Sequence, residues 1–422
     1  MEFVRAVGSS LRRPRVLLFA RQPYSITAAR LPKSLREAGW SVAALTPEKS
    51  FLWKTRYTDR RYSCPWNPRP LVRTLLRVLN EWQPEFVIAG DRWSQFFLNG
   101  MADSLPVRVL QPPFAKVLRR SLGKRGAFAM LEHKASLLPR AAELGVSVPH
   151  TIVTRSFRDA RRRIDNQMDF PVVIKQDQTS GGAGVSICRS IEDVSAAYAR
   201  ISAEPRPPLV RRLWKMWNQT PFVREVDRPG AVLLQEYLEG EPYLYSFVAV
   251  EGRLLAGNVV RRELPYDGPT SPHCRYVAIE HAEIVARSRQ IIEATGFSGL
   301  GCVDFIIERS SRTPYLIECN PVPVNVAHLG RQLGSDLCLA LLEYLHNDGP
   351  RRVHTPSSAR SNEYFGEAVL FPYDLIRDPA SPVIAENPLD VPFDDPQVLA
   401  AMMEHFRLSG IPSRRSVANI SS

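Results

Sequence analysis

The chain has 422 residues, of which 44% are hydrophobic and 23% charged, and its formal net charge at pH 7 is +12. This length and composition are typical of a globular protein with two or three domains, and they exclude a disordered chain. The positive charge is spread along the sequence rather than gathered in one run, so we expect no nucleic-acid partner.

The spacing of the cysteines and the length of the apolar runs narrow the possible classes of protein further. None of the six cysteines lies within a CxxC or CxxxC spacing of another, which indicates reduced thiols and argues against a disulfide framework or a sulfur-ligated zinc. The longest apolar runs are too short to cross a bilayer. Residues 1–13 are predicted to be a flexible tail without the features of a signal peptide, and we expect a cytoplasmic location.

Residues 14–113 alternate short apolar runs with helical periods. Strands are predicted at residues 15–20, 41–46 and 85–90, with helices between them, as in a small open parallel α/β domain. The first strand-to-helix turn lacks GxGxxG, so the dinucleotide fingerprint is absent. Asp91 and Arg92 follow the third predicted strand, where ligands of such sheets usually bind, but both residues fit the start of the next helix equally well.

A helical connector is predicted at residues 114–149, and Lys134 lies near the start of one of its helices. In the next unit, residues 150–234, Lys175 ends a strand that leads into a glycine-rich loop. The loop contains Ser180, Gly181 and Gly182. Small residues let backbone N–H groups approach an anion closely, and a neighbouring lysine supplies a point charge. Taken alone, such a hairpin is more often only a turn.

Residues 205–230 form a basic stretch with leucine, methionine and tryptophan at helical spacing. Two interpretations stay open: a contact with an acidic partner, a membrane surface or a substrate, or an insertion that packs its apolar stripe on its own domain. We favour the second.

The segment from Gly299 to Asn325 predicts a β-hairpin with carboxylates on otherwise apolar strands. Asp304 alternates with apolar neighbours, and Glu318 shares a strand face with Asn320. A carboxylate is costly to bury there unless it is paired or holds a cation, and oxygen ligands of this kind suit Mg²⁺. The alternative is that both acids end their strands and face solvent.

Taken in this order, residues 14 to about 345 resemble the ATP-grasp superfamily, which has a preliminary α/β domain before a two-lobed nucleotide-binding fold. The resemblance implies an α/β protein, α+β in the ATP-grasp part. The implied limits are 14–113 for the preliminary α/β domain, 114–149 for the helical connector, 150–234 for the lid subdomain, and 235–345 for the nucleotide and metal subdomain. Residues 346–422, rich in proline and in acidic and aromatic patches, are predicted to be an appendage wrapped on the main body.

The same resemblance implies the site. Lys134 and Lys175 would contact the nucleotide phosphates, and the glycine-rich loop would close over the triphosphate. The adenine hinge corresponds to Gln235, Glu236, Tyr237 and Leu238, and the ribose contact to Glu241. The metal ligands correspond to Asp304, Glu318 and Asn320, with Glu318 bridging two Mg²⁺ or Mn²⁺ ions. Arg261 and Arg262, with Arg275 as a further candidate, are expected to hold the acyl substrate or the transferring phosphate, although one of the first two is expected to face solvent.

The function that follows is an ATP- and Mg²⁺-dependent ligase that activates a small-molecule carboxylate as an acylphosphate and joins it to an amine. A kinase that phosphorylates a small molecule, and a nucleotide-binding regulatory protein without turnover, remain alternatives. A homodimer and a protein or membrane contact through residues 205–230 are also left open.

Overall fold

The computed structural model describes residues 13–104, 112–177, 179, 182, 184–202, 231–268, 270–346, 366–387 and 389–408. Ser180, Gly181 and the predicted insertion at 205–230 lie outside these residues. The described part of the chain contains a four-stranded sheet near its start, a second four-stranded sheet and a six-stranded sheet. None of the helices in these ranges is both long and apolar enough to cross a bilayer.

The first sheet is fully parallel, as the sequence predicts. Its elements are β1 (Arg15–Phe19), α1 (Ile26–Glu37), β2 (Ser41–Thr46), α2 (Phe51–Lys54), β3 (Arg60–Ser63), α3 (Pro68–Trp82), β4 (Phe86–Ala89) and α4 (Arg92–Ser104). The strand order is β3-β2-β1-β4. Strand β3 is not predicted from the sequence, because Tyr62 is its only buried residue and no apolar run marks it. Helix α1 begins at Ser25, whose side chain accepts a hydrogen bond from the Ala28 N–H group.

The connector consists of three helices, α5 (Pro112–Leu122), α6 (Ala127–Glu132) and α7 (Lys134–Glu143). The second four-stranded sheet follows, with β5 (Thr151–Thr154), α8 (Phe157–Gln167), β6 (Val172–Gln176), β7 (Val185–Cys188), α9 (Ile191–Ser202) and β8 (Val232–Glu236). It is antiparallel with the order β5-β8-β6-β7. Helices α8 and α9 cover it with one apolar cluster that includes Ile164 and Val194.

The six-stranded sheet is the largest element and is antiparallel throughout. Its elements are β9 (Gly240–Val250), β10 (Arg253–Pro265), β11 (His273–Ile279), α10 (Ala282–Thr295), β12 (Gly299–Glu308), β13 (Pro314–Asn320), a 3₁₀ turn (Ala327–Leu329), α11 (Gly330–Leu333), α12 (Leu337–His346) and β14 (Glu367–Val369). One apolar cluster joins this sheet to α7 and α10, and another joins it to α1 and α12. The sheet is therefore buried on both faces, which explains the near-continuous apolar sequence of β9 and β10.

The C-terminal segment, residues 366–408, packs on both the large sheet and the parallel domain. Its strand β14 pairs with β11 and adds an edge to the six-stranded sheet. Three helices follow: α13 (Tyr373–Arg377), α14 (Pro382–Glu386) and α15 (Pro396–Phe406). Their apolar residues form one cluster with Ile26, Ala29 and Phe51 of the parallel domain. The C-terminal segment thus connects the first domain to the edge of the large sheet.

Candidate active site

A cavity of about 540 Å³ opens where the parallel domain, both antiparallel sheets and the C-terminal segment meet. Its walls come from the loops that follow β1 and β4, from strands β6, β7 and β9–β13, and from helices α13 and α15. The loops at the carboxyl ends of parallel strands are where open α/β sheets usually bind ligands. Each of the three sheets therefore contributes to one enclosed space.

Two carboxylates face each other inside this cavity. Asp304 on β12 lies directly opposite Glu318 on β13 in the antiparallel register, and a β-bulge follows Asp304. The Asn320 side-chain amide donates to Glu318 Oε1 at 3.2 Å. Burial raises the pKa of Asp304, and the neighbouring Glu318 carboxylate raises it further while Arg262 opposes the shift. Two acids so close together cannot both ionise at low cost without a cation between them.

The donor set fits a hard divalent cation. Asp304 Oδ1 is buried and accepts no hydrogen bond from the described residues. No group of three or more His, Cys, Asp or Glu side chains within the described ranges is arranged as a closed metal site. Two carboxylates and one amide oxygen are what Mg²⁺ uses when water and phosphate oxygens complete its shell. The solvent-facing alternative for Asp304 is wrong, because the residue is only 5% exposed.

Two lysines converge on the same pair of acids. Lys134 Nζ lies 2.9 Å from Glu318 Oε2, and the side chain is buried. Burial lowers the pKa of Lys175 to about 8, although the Glu318 carboxylate acts in the opposite direction. For Glu318 itself burial acts to raise the pKa, but the Lys134 and Lys175 ammonium groups outweigh it and hold the pKa below the usual range. The site therefore carries ionised Glu318 between two positive charges.

The position of Lys134 is fixed by an aspartate that the sequence analysis missed. Asp177, which follows β6, accepts hydrogen bonds from the backbone N–H groups of Lys134 at 3.0 Å and Ala135 at 3.4 Å. It satisfies otherwise unpaired donors at the first turn of α7 and places negative charge at that helix end. Because the cap comes from a strand 43 positions away, no local sequence signal marks it.

Only one of the predicted arginines reaches the carboxylates. Arg262 lines the cavity, and its Nη1 atom lies 3.7 Å from Asp304 Oδ1. Arg261 is the next residue on β10, so its side chain leaves the opposite face and pairs with Glu263 at 2.6 Å. Arg275 also contacts Glu263, at 3.4 Å. The structure does not bring Arg261 or Arg275 to the cavity, and the catalytic assignment of Arg261 loses its geometric basis.

The loop after β6 contributes Gly182 to the cavity lining. Gly182 has φ +80°, and a Cβ atom at this position would lie 1.8 Å from the Thr270 carbonyl oxygen. Only glycine fits both this conformation and this close approach. The loop is thereby held against the turn between β10 and β11, whose residues Thr270 and Ser271 line the same cavity.

No protein-family model matches the chain, and no curated protein matches it in sequence. Solved structures do match its fold. The biotin carboxylase domain of 2-oxoglutarate carboxylase from Hydrogenobacter thermophilus, solved with MgADP and bicarbonate, gives a TM-score of 0.57 at 17% identity. That match covers 82% of this chain and 72% of the other. An L-amino acid ligase from Bacillus licheniformis gives 0.54 at 13% identity, covering 80% of this chain and 75% of the ligase. N5-carboxyaminoimidazole synthetase from Staphylococcus aureus gives 0.54 at 12% identity, covering 79% and 77% of the two chains.

The chain has the ATP-grasp fold. The fold class predicted from the sequence is confirmed by the parallel first sheet and the two antiparallel sheets that follow.

The predicted hinge of the ATP-grasp fold lies where β8 of the small sheet passes into β9 of the large one. Gln235 donates from Nε2 to Thr151 Oγ1 at 2.8 Å, and Glu236 accepts from the His150 N–H group at 2.8 Å. Both side chains are therefore engaged within the protein. Glu241, the predicted ribose contact, accepts from the Tyr243 hydroxyl at 3.0 Å. Gln235–Leu238 and Glu241 lie outside the 540 Å³ cavity lining.

The junction between the ATP-grasp sheets and the parallel domain contains a further ion pair. Asp91 accepts from the backbone N–H groups of Ser94 at 2.8 Å and Arg21 at 2.6 Å, so it caps α4 and holds the loop after β1. Arg92 forms an ion pair with buried Glu132, whose pKa burial raises to about 7 against the opposing charge of Arg92. Both residues of the pair line the cavity. Glu132 is the last residue of α6, two positions before Lys134. Nothing in the sequence of that helix predicted that Glu132 would pair with Arg92 at the cavity.

Proposed function

We propose that this chain is an ATP- and Mg²⁺-dependent ligase that activates a carboxylate as an acylphosphate and joins it to an amine. One observation carries the proposal: Asp304 and Glu318 face each other across β12 and β13, and both predicted phosphate-binding lysines act on Glu318. The fold supports it, since the similar structures include those of an L-amino acid ligase, a synthetase and a biotin carboxylase domain.

Asp304, Glu318 and Asn320 would hold the metal, with Glu318 shared if two ions bind. Bound Mg²⁺ would neutralise charge on the β- and γ-phosphate oxygens. Lys134 and Lys175 would bind phosphate oxygens as point charges, and Lys134 would exchange its contact with Glu318 for one with the nucleotide. Since burial depresses the pKa of Lys175 to about 8, an incoming triphosphate would also favour its charged form.

Arg262 would hold the substrate carboxylate beside the γ-phosphate. A carboxylate oxygen then attacks the γ-phosphorus, the bond to the ADP oxygen breaks, and ADP leaves with its electron pair. The amine next attacks the acyl carbon, releases inorganic phosphate and loses a proton, which completes an amide. The loop that carries Gly182 would shield the acylphosphate from water. In the second step the arginine fork would hold the carbonyl and phosphoryl oxygens of the acylphosphate, which take the place of the carboxylate oxygens.

The finer assignments remain proposals. They are the domain limits at residues 113, 149, 234 and 345, the adenine hinge at Gln235–Leu238, the ribose contact at Glu241, and the lid contacts of Ser180 and Gly181. The substrates are taken to be a small carboxylate and an amine.

The test is Mg²⁺-ATP hydrolysis coupled to substrate, measured as ADP release across a panel of carboxylates, with hydroxylamine as a common amine acceptor. We expect carboxylate-dependent ADP release and an equal amount of hydroxamate, both abolished in Glu318→Ala. Glu308→Gln, on the same strand as Asp304 but outside the cavity lining, is the matched control and should retain activity. A stable phosphorylated product without hydroxamate would replace the ligase by a kinase, and nucleotide binding without turnover across the panel would contradict both.

A further inference from the structure

Part of the cavity lining is apolar and comes from three distant segments of the chain. Ile26 begins α1, Val324 lies in the loop after β13, and Tyr373 and Phe406 belong to the C-terminal segment. We call these four residues the apolar wall. Tyr373 packs against two hydrophobic clusters, one containing Ile26 and Phe406 and the other containing Val324. The wall is therefore continuous, although its members are up to 380 positions apart.

Polar contacts fix the wall, and two of the residues that make them, Thr27 and Asn325, line the cavity beside it. Asn325 Oδ1 accepts from the Thr27 hydroxyl at 2.8 Å, and the Asn325 side chain also hydrogen-bonds to the Tyr373 hydroxyl. Asp390 Oδ1 lies 2.6 Å from His328 Nε2, and Asp390 Oδ2 accepts from the Phe371 N–H group at 3.0 Å. These bonds hold the C-terminal segment against the loop after β13.

A second set of contacts holds Phe406. The rings of Tyr24 and His405 stack with centroids 3.9 Å apart, and Phe51 contacts the Phe406 ring at 6.3 Å. Lys33 of α1 also forms an ion pair with Asp394 at 2.8 Å. Because α15 packs on α2 and on the loop before α1, and the loop before α15 is paired with α1, the Phe406 side chain presents a defined surface rather than a freely rotating one.

Charge divides the cavity lining into two kinds of surface. The charged residues among its described members are Asp91, Arg92, Lys175, Arg262, Asp304, Glu132 and Glu318, with His273 held neutral because burial lowers its pKa to about 4. None of them belongs to the apolar wall. Tyr276 lies opposite Arg262 in the β10–β11 register and lines the same cavity as Tyr373. A charged substituent on the wall would lose its hydration without gaining a partner.

We propose that the apolar wall selects the acyl substrate, which is a small carboxylic acid carrying a bulky aliphatic or aromatic group. Its carboxylate binds Arg262 beside the metal ligands, and its apolar group packs on Tyr373 and Phe406. The proposal rests on the proposed function for the role of Arg262, but it concerns selection rather than turnover. It makes the C-terminal segment the part of the chain that sets specificity.

The experiment compares phenylacetate with acetate, which share a carboxylate and differ by one aromatic ring. Binding of each to the full chain is measured calorimetrically, with and without MgADP. We expect phenylacetate to bind at least about tenfold more tightly, since filling an apolar pocket with a group of this size is worth at least that factor. Phe406→Ala should weaken phenylacetate about tenfold and leave acetate unchanged, while Phe406→Leu should lie between.

Ile376→Ala is the matched control, because Ile376 lies on the same helix as Tyr373 but is 37% exposed and does not line the cavity. It should bind both acids as the unmodified chain does. Unchanged MgADP affinity in Phe406→Ala shows that this variant is folded. Equal affinity for the two acids, including undetectable binding of both, would overturn the proposal. Failure of ADP release with the phenylacetate preference intact would instead overturn the proposed function alone.

Discussion

The charged surface and the apolar wall of the cavity are built on different principles. The charged surface is centred on one hairpin: Asp304 and Glu318 lie on adjacent strands, and Lys134 and Arg262 reach them from α7 and β10. The apolar wall has no such centre and is assembled from three distant segments of the chain. Ion pairs hold the side chains of the first surface, whereas apolar packing and a few hydrogen bonds hold those of the second.

This difference indicates which properties can change independently. The opposed carboxylates and the two lysines leave little freedom, because Lys134, Lys175 and Asp304 are buried charges that need their partners. The wall contains no charge, so one ring can replace another at a cost set by volume and shape. We therefore expect the ATP chemistry to be intolerant of substitution and the substrate preference to be adjustable.

The largest effect should come from Lys175→Met, which keeps the length of the side chain and removes its charge from the charged surface. We expect kcat/KM for ATP to fall about 10²- to 10³-fold, as for the loss of one preorganised stabilising group. Steady-state ADP release measures it. Lys124→Met, at an exposed position, is the control and should be unaffected. A loss of less than threefold would remove Lys175 from the phosphate-binding site.

The apolar wall should respond differently to Asn325→Ala, which removes the link between Thr27 and Tyr373. We expect KM for the carboxylate to rise about tenfold, the equivalent of roughly 1.4 kcal/mol, while KM for ATP stays within twofold. The comparison of the two KM values is the measurement. An equal rise in both would show that the wall and the charged surface are not separable.

A smaller effect is expected at the support of Lys134. Asp177→Ala removes the acceptor at the start of α7 and should lower the free energy of unfolding by about 1 kcal/mol. Asp177→Asn keeps an acceptor oxygen and should recover most of the loss. Chemical denaturation monitored by circular dichroism gives both values. If the asparagine variant is as unstable as the alanine variant, the carboxylate acts through its charge rather than as a cap.

The smallest predicted effect is on the pH dependence of the free energy of unfolding, through His328, which helps to anchor the apolar wall. Burial lowers the pKa of His328 below 6.5, with Asp390 opposing and Arg30 and Lys33 adding to the shift. The unfolded chain then binds more protons than the folded one below pH 6.5, so the contribution of His328 to stability is present above that pH and is lost as the pH falls. Glu132, with its pKa raised to about 7, acts in the opposite direction.

A difference measurement separates the two residues. The free energies of unfolding of the unmodified chain and of His328→Gln are compared at pH 7.5 and pH 5.5. We expect the variant to lose less stability between these values than the unmodified chain does. A parallel pH dependence in both proteins would show that His328 contributes nothing to it.

The sequence revealed the charged surface because its residues violate their local pattern. Asp304 and Glu318 stand on strands that are otherwise apolar, and such acids require a partner or a cation. Strand alternation also implied that only one of Arg261 and Arg262 could face the cavity, but it could not identify which one. Val259 and Val260, which precede the two arginines on alternate faces, are both apolar and both buried, so neither marked the cavity face.

The apolar wall could not be predicted. Nothing in the local sequence around Tyr373 or Phe406 shows that these side chains meet Ile26, because that contact depends on packing across more than 340 positions. The role of Asp177 could not be predicted for the same reason, since the N–H groups that donate to it belong to Lys134 and Ala135, on a helix earlier in the chain. Strand β14 is only three residues long, too short for a periodic pattern.

The most direct test of the account is equilibrium binding of ATP with and without Mg²⁺ to the unmodified chain, Glu318→Gln and Glu308→Gln. It needs no knowledge of the acyl substrate. We predict Mg²⁺-dependent binding in the unmodified chain and in Glu308→Gln, and affinity lower by at least about tenfold in Glu318→Gln, as expected for the loss of a metal ligand. An ATP affinity that does not change with Mg²⁺, or that is equal in all three proteins, would contradict the assignment of Asp304 and Glu318 as metal ligands.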